Sequence, residues 1–267
     1  MVINLHLLDA CNFNCGHCFA RFNASSTLPC NDWKGIVDNI LGSAYVERFN
    51  LAGGEPLLYG GLAELAGYIR SKGCEVSLIT NGYNLTDQMI RILGDCGISM
   101  IGLSIDSANP QTLRALGRHT ASGSILEPER CVSICRLIRD KGMTLKINTV
   151  VSKLNYTEDF SPFIQTALPH RWKLLKIKEF KTSFADNFPL LIDDSQFDGF
   201  IRRHRAIPHI CERTMYSAYI MVDAFGNLVD TGTTNNTPVA DLRKVSFRDA
   251  FKRMDFDYNT YHARYAA

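Results

Sequence analysis

A chain of 267 residues with 46% hydrophobic content has the apolar mass for one sizeable core, and single-domain α/β barrels reach this size. Its net charge of +2 is too balanced for a dedicated nucleic-acid surface and leaves room only for a local basic patch. No apolar run is long enough to span a bilayer, and the first strand pattern begins at once, without a signal peptide or amphipathic anchor. Nine cysteines lack the spacing of a disulfide framework. A soluble, cytoplasmic protein with no membrane or nucleic-acid partner is expected.

Apolar alternation predicts strands over 2–8, 47–52, 75–80, 100–105, 144–151 and 171–179. Helical periodicity falls between them, on 31–43, 61–72, 86–96, 109–117 with 126–141, and 158–167. Asn31 and Thr86 are predicted N-caps, and Gly73 and Gly142 C-terminal stops. Repeated β–α units imply a parallel sheet with right-handed crossovers, and six of them fall two short of a closed TIM barrel. The fold class is therefore α/β: a partial (β/α)6 TIM-type barrel over 1–180, with a C-terminal extension over 181–267 covering the site. The extension reads as irregular over 180–216 with one helix at 194–204. Two short strands follow, 218–223 and 227–229, then a closing helix and frayed end over 246–267.

Directly after the first strand come Cys11, Cys15 and Cys18, three thiols within eight residues. Thiolates are soft ligands for iron–sulfur clusters or zinc. Three are one short of a closed tetrahedral site, and no partner pair follows at zinc-ribbon spacing. A cluster held by three thiolates keeps one iron open to a small ligand; a zinc knuckle or buried cysteines are the competing readings. Polar residues also recur at every second position on strands that should be apolar: Asn4 and His6, Arg48 and Asn50, Lys146 and Asn148, Arg171 and Lys173. Four buried cations need an anionic partner, which predicts a lumen that holds a polyanion. Lys176 and Lys178 have the opposite parity and are expected outside. Further motifs fall at strand ends, where barrels place their chemistry: Gly53-Gly54-Glu55-Pro56, Thr80-Asn81-Gly82 and Ser104-Ile105-Asp106.

The cysteine spacing, with the aromatic-type His17 before the last thiol, resembles the radical S-adenosylmethionine (SAM) enzymes. The resemblance covers about residues 1–180. It implies a [4Fe–4S] cluster on Cys11, Cys15 and Cys18, SAM on the open iron, and an external electron donor. Gly53, Gly54 and Glu55 are then implied to bind the methionyl amine, and Asn81 and Ser104 the ribose and carboxylate region. A closer resemblance, to the viperin family, spans nearly the whole chain. It is carried by residues 11–19, 49–56, Leu116-Gly117-Arg118, 145–150, His170-Arg171-Trp172-Lys173 and 216–223.

That family implies conversion of a ribonucleoside triphosphate (CTP, UTP or GTP) to its 3′-deoxy-3′,4′-didehydro form, an RNA chain terminator in antiviral or antiphage defence. The implied course is C4′ hydrogen abstraction and loss of the 3′-hydroxyl as water, completed by one electron and one proton. Arg118, Lys146, Arg171 and Lys173 are candidates for the triphosphate, since Arg forks give bidentate contacts. Asn4, His6, Arg48, Asn50 and Asn148 complete the substrate set, and Tyr219 matches a family active-site tyrosine. Residues 230–236 replace the basic segment that animal viperins carry near the base, leaving base choice open. A monomer is expected. The alternatives are a radical SAM enzyme acting on a peptide or other small molecule, and a non-catalytic iron–sulfur nucleotide sensor.

Overall fold

The computed structural model describes residues 1–19, 27–181 and 186–264. Six parallel strands lie side by side in chain order: β1 (Val2–His6), β2 (Arg48–Ala52), β3 (Glu75–Thr80), β4 (Ile98–Ser104), β5 (Thr144–Val151) and β6 (Arg171–Lys176). The connecting helices are α1 (Cys30–Leu41), α2 (Leu62–Ser71), α3 (Asp87–Asp95), α4 (Pro110–Ala115) with α5 (Pro128–Asp140), and α6 (Ser161–Ala167). Alternation decides which strand residues meet them. Ile3, Leu5, Phe49, Leu51, Val76 and Leu78 are fully buried in one core with Trp33, Ile36, Val37 and Ile40 of α1. Asn4, His6 and Asn50, one residue out of phase, line the cavity on the sheet's other face.

Helix starts follow local chemistry. The Thr86 hydroxyl accepts from Met89 N at 3.1 Å and caps α3. Asn31 is not a cap: α1 begins at Cys30 behind Pro29, whose ring presets φ at −58°. The remaining elements are α7 (Asp194–Arg203), β7 (Ile210–Glu212), β8 (Met221–Val222), β9 (Asn227–Asp230), β10 (Thr237–Asp241), α8 (Phe247–Phe251) and α9 (Tyr258–Ala263). β7 adds in parallel to β6, and β8 adds in parallel to β1, followed by antiparallel β9 and β10. The result is an open ten-stranded sheet, β10-β9-β8-β1-β2-β3-β4-β5-β6-β7. β7 and β10 are not predicted from sequence. The first is a three-residue Ile-Cys-Glu, too short to alternate, and the second carries Pro238, tolerated because β10 is an edge. The closing segment, expected as one helix, holds two, and residues 265–267 of it lie outside the described residues.

Candidate active site

The open sheet curls around a cavity of about 280 Å³ that receives side chains from every strand of the barrel and from the extension. At one end lies the cysteine loop. Gly54 N donates to Leu8 O at 2.7 Å and Glu55 N to Ala10 O at 2.9 Å, drawing the loop's approach against the end of β2. A Cβ on Gly53 would sit 2.6 Å from the Leu8 carbonyl, and one on Gly54 would collide with the carbonyls of Asp9 and Ala10, so only glycine permits this approach. On the far side Asn14 N donates to Gly117 O and Gly16 N to Leu116 O. Leu116-Gly117 thus clamps the loop from the α4 end.

Cys11, Cys15 and Cys18 all face the cavity and lie close enough to influence one another's ionisation. Among the described residues no trio of His, Cys, Asp and Glu side chains gathers to hold a single ion. Burial pushes the Cys15 thiol up to about 12, partly offset by the Arg118 guanidinium, whose Nη1 reaches 3.9 Å from its sulfur. Ligation must therefore release protons. Arg118 is in turn held by Asp106 at 2.8 Å and by the Ser104 carbonyl. Burial would raise the Asp106 carboxyl, but Arg118 and His17, 3.1 Å away, outweigh it and hold it at about 2. Glu55, expected at the methionyl amine with Gly53 and Gly54, lies instead under the cavity wall, fully buried and outside its lining. Its carboxylate accepts from Leu57 N, from the Thr80 hydroxyl at 2.6 Å and from Asn81 N at 2.8 Å. Asn81 lines the cavity and donates to Asn12 Oδ1 at 2.7 Å.

Below the loop the polar strand positions form a relay. Ser77 donates to Asn50, Asn50 to Asn4, and Asn4 to the Ile220 carbonyl, at 2.9, 2.8 and 3.1 Å. Burial drives His6 down to about 4, so its ring is neutral. Lys146, Asn148 and Lys173 line the cavity, with Arg48 beside them, 3.5 Å from Glu75. Burial, with Lys173 nearby, lowers Lys146 to about 7, and Lys146 has no ion-pair partner among the described residues. Burial also lowers Lys173 to about 8, against the opposing pull of Glu212, 2.7 Å away.

Several expectations are corrected. Arg171 is exposed at the start of β6 and does not line the cavity, because its phase is right but its depth along the strand is wrong. Arg118 serves the thiol end, since its guanidinium is committed to Asp106, the Ser104 carbonyl and Cys15. Lys176 reaches the cavity edge while pairing with Asp194. Lys178 is buried inside, its ammonium over the Phe19 and Tyr216 rings, because parity lapses where β6 ends. Sequence reasoning missed Ser77, Glu212 and Arg264. Tyr219 lies on the cavity as expected, but its hydroxyl donates to Glu212, and Arg264 comes from the segment read as a frayed tail.

Three thiols, a glycine-lined strand end beside them and an open barrel mouth define a radical SAM site. The radical SAM superfamily model matches residues 5–167, and the chain belongs to that superfamily. An S-adenosylmethionine-dependent nucleotide dehydratase from Selenomonas ruminantium is 36% identical over 99% of this chain and 98% of its own length. The S-adenosylmethionine-dependent nucleotide dehydratase RSAD2 of Danio rerio is 26% identical over 96% of this chain and 74% of its own. A solved structure of native anSMEcpe with bound AdoMet and Cp18Cys peptide matches with a TM-score of 0.73 at 14% identity. That match covers 98% of this chain and 81% of that one, a likeness of fold. Within the superfamily, the chain belongs to the viperin family of S-adenosylmethionine-dependent nucleotide dehydratases. Its superfamily and its relatives are named for S-adenosylmethionine, and three clustered thiols suit an iron–sulfur cluster. The site fits such a group: Cys11, Cys15 and Cys18 would hold it, no other cysteine among the described residues lines the cavity, and Gly53 and Gly54 line the space beside them.

Proposed function

We propose that this chain dehydrates a ribonucleoside triphosphate (CTP, UTP or GTP) to its 3′-deoxy-3′,4′-didehydro form, an RNA chain terminator for antiviral or antiphage defence. It does so as a cytoplasmic monomer that draws on an external electron donor and touches neither nucleic acid nor membrane. Residues 1–180 supply the radical SAM barrel and 181–267 cover the site. The observation that carries this reading is the sharing of one cavity by three thiols and a set of cations that line it. No helix among the described residues is long and apolar enough to cross a membrane.

In this reading Cys11, Cys15 and Cys18 hold the cluster, and Gly53, Gly54, Asn81 and Ser104 hold SAM, with Glu55 fixing Asn81 from beneath. When bound, the cluster and SAM supply a carbon radical that takes a hydrogen atom from the ribose. Lys146, Lys173 and Arg264, with Arg48 beside them, neutralise the triphosphate. Asn4, His6, Asn50 and Asn148 position the sugar, and Tyr219 stands on the substrate side to pass the proton that leaves with the 3′-hydroxyl as water, the electron coming from the external donor. Lys178 and Thr231, whose buried hydroxyl has no partner among the described residues, remain for the base. The test is anaerobic reconstitution with dithionite, SAM and each triphosphate. Release of 5′-deoxyadenosine should rise strongly with one of them, with a product lighter by one water. Indifference to every triphosphate would favour a peptide or another small molecule, and absence of SAM cleavage a non-catalytic sensor.

A further inference from the structure

Glu212 is 4% exposed and belongs to β7, at the edge of the sheet. It does not line the cavity, yet three groups that do are fastened to it. One carboxylate oxygen accepts from Lys173 Nζ at 2.7 Å and from Arg264 Nε; the other accepts from the Tyr219 hydroxyl. Arg264 also donates to the Ala218 carbonyl and lays its guanidinium over the Tyr219 ring, 3.2 Å from the centroid. These groups come from β6, from the end of α9 and from the segment leading into β8. One anion therefore joins elements that the open sheet does not join by backbone pairing. The surrounding charge is positive: Lys146 on β5 and Arg48 on β2 face the same space, and Glu212 is the carboxylate within reach of Lys173.

We propose that Glu212 is a positioning residue: it aims Lys173 and Arg264 as a seat for a triphosphate tail and ties the Tyr219 hydroxyl to that seat. This rests on the triphosphate reading above. A carboxylate placed in the cavity would compete with phosphate for the same donors. Glu212 lies behind them, so it orients them and sustains their charge. Its loss leaves Lys173 facing Lys146, Arg264 and Arg48 without an opposing charge, and its proton is then held less tightly.

The test is calorimetric binding of inorganic tripolyphosphate, and of the preferred nucleoside triphosphate, to the reconstituted full chain across neutral pH. It compares the unmodified protein with Glu212→Gln and Glu212→Asp. Glu212→Gln should weaken tripolyphosphate binding roughly ten- to hundred-fold and move the pH midpoint of binding about one unit toward acid. Glu212→Asp, which keeps the charge on a shorter stem, should restore the midpoint and only part of the affinity. With nucleotide, Glu212→Gln should release 5′-deoxyadenosine in excess of product. Tighter binding by Glu212→Gln would make the carboxylate a competitor and overturn the proposal. So would a lowered melting temperature with an unchanged midpoint, which marks a structural role. Should Glu212→Gln fail to fold, a crystal of the unmodified chain soaked in tripolyphosphate decides: Glu212 still bonded to Lys173 and Tyr219 supports the proposal, and its displacement refutes it. Failure of the unmodified chain to bind either ligand would instead remove the triphosphate reading itself.

Discussion

Lys146 shows how one residue couples fold, charge and ligand. It was legible in the sequence because Lys146 and Asn148 alternate on a strand that ought to be apolar, and the same parity exposed Asn4, His6 and Asn50. Arg171 has the same parity and lies outside, since alternation fixes the face of a strand but not depth along it. Lys146→Ala should therefore abolish nucleotide stimulation of SAM cleavage while leaving slow uncoupled cleavage, and Arg171→Ala should change stimulation less than about twofold, as surface changes usually do. The folded pKa values of about 7 for Lys146 and about 8 for Lys173 lie below the ordinary 10.5. Both charges fade as pH rises through these values, so nucleotide affinity should fall across them, and binding should take up protons. Stability of the ligand-free chain runs the other way. Above the folded pKa values the unfolded chain, its lysines still charged, binds more protons, so stability rises with pH. That rise should end near the ordinary thiol range, where unfolded cysteines ionise while buried Cys15 is held up at about 12. Urea titrations and calorimetry over the same pH range would show the opposite trends.

Among the elements, those long enough to carry a period were readable: six strands, their helices and the Thr86 cap. β7 and β10 were not, because three residues cannot alternate and a proline-bearing edge looks like a turn. The Leu116-Gly117 clamp was visible as a motif, but its task was not, since hydrogen bonds to Asn14 and Gly16 span a hundred residues of sequence. Gly117 has φ +74°, and a Cβ there would collide with the Asn14 backbone. Gly117→Ala should cost about 1–2 kcal/mol and reduce iron and sulfide bound per chain after reconstitution. Thr86→Ala, which removes a cap far from the loop, should cost about 1 kcal/mol and leave cluster content unchanged. Thermal melts with iron and sulfide analysis separate the two.

At the scale of the whole molecule, side chains instead of strand pairing tie β7, one end of the sheet, to the segments before β8 and after α9. Glu212 bonds Lys173 and Arg264 together there, and α9 fastens the C-terminal segment to the start of the chain through Val2 N, which donates to the Tyr261 hydroxyl at 2.7 Å. Neither link is written in local pattern; both depend on residues more than thirty positions apart. Tyr261→Phe strands a buried backbone donor and should cost about 1–3 kcal/mol, readable as a lower melting temperature.

The proposed dehydration requires the radical source and the ribose to meet in one cavity, with C4′ as the reacting carbon. A triphosphate carrying deuterium at C4′, turned over by the reconstituted chain with SAM, tests this directly by mass spectrometry of the released 5′-deoxyadenosine. One deuterium should appear in that product, alongside a didehydro nucleotide that has lost it. Unlabelled 5′-deoxyadenosine, or a nucleotide that keeps its deuterium through turnover, would contradict it.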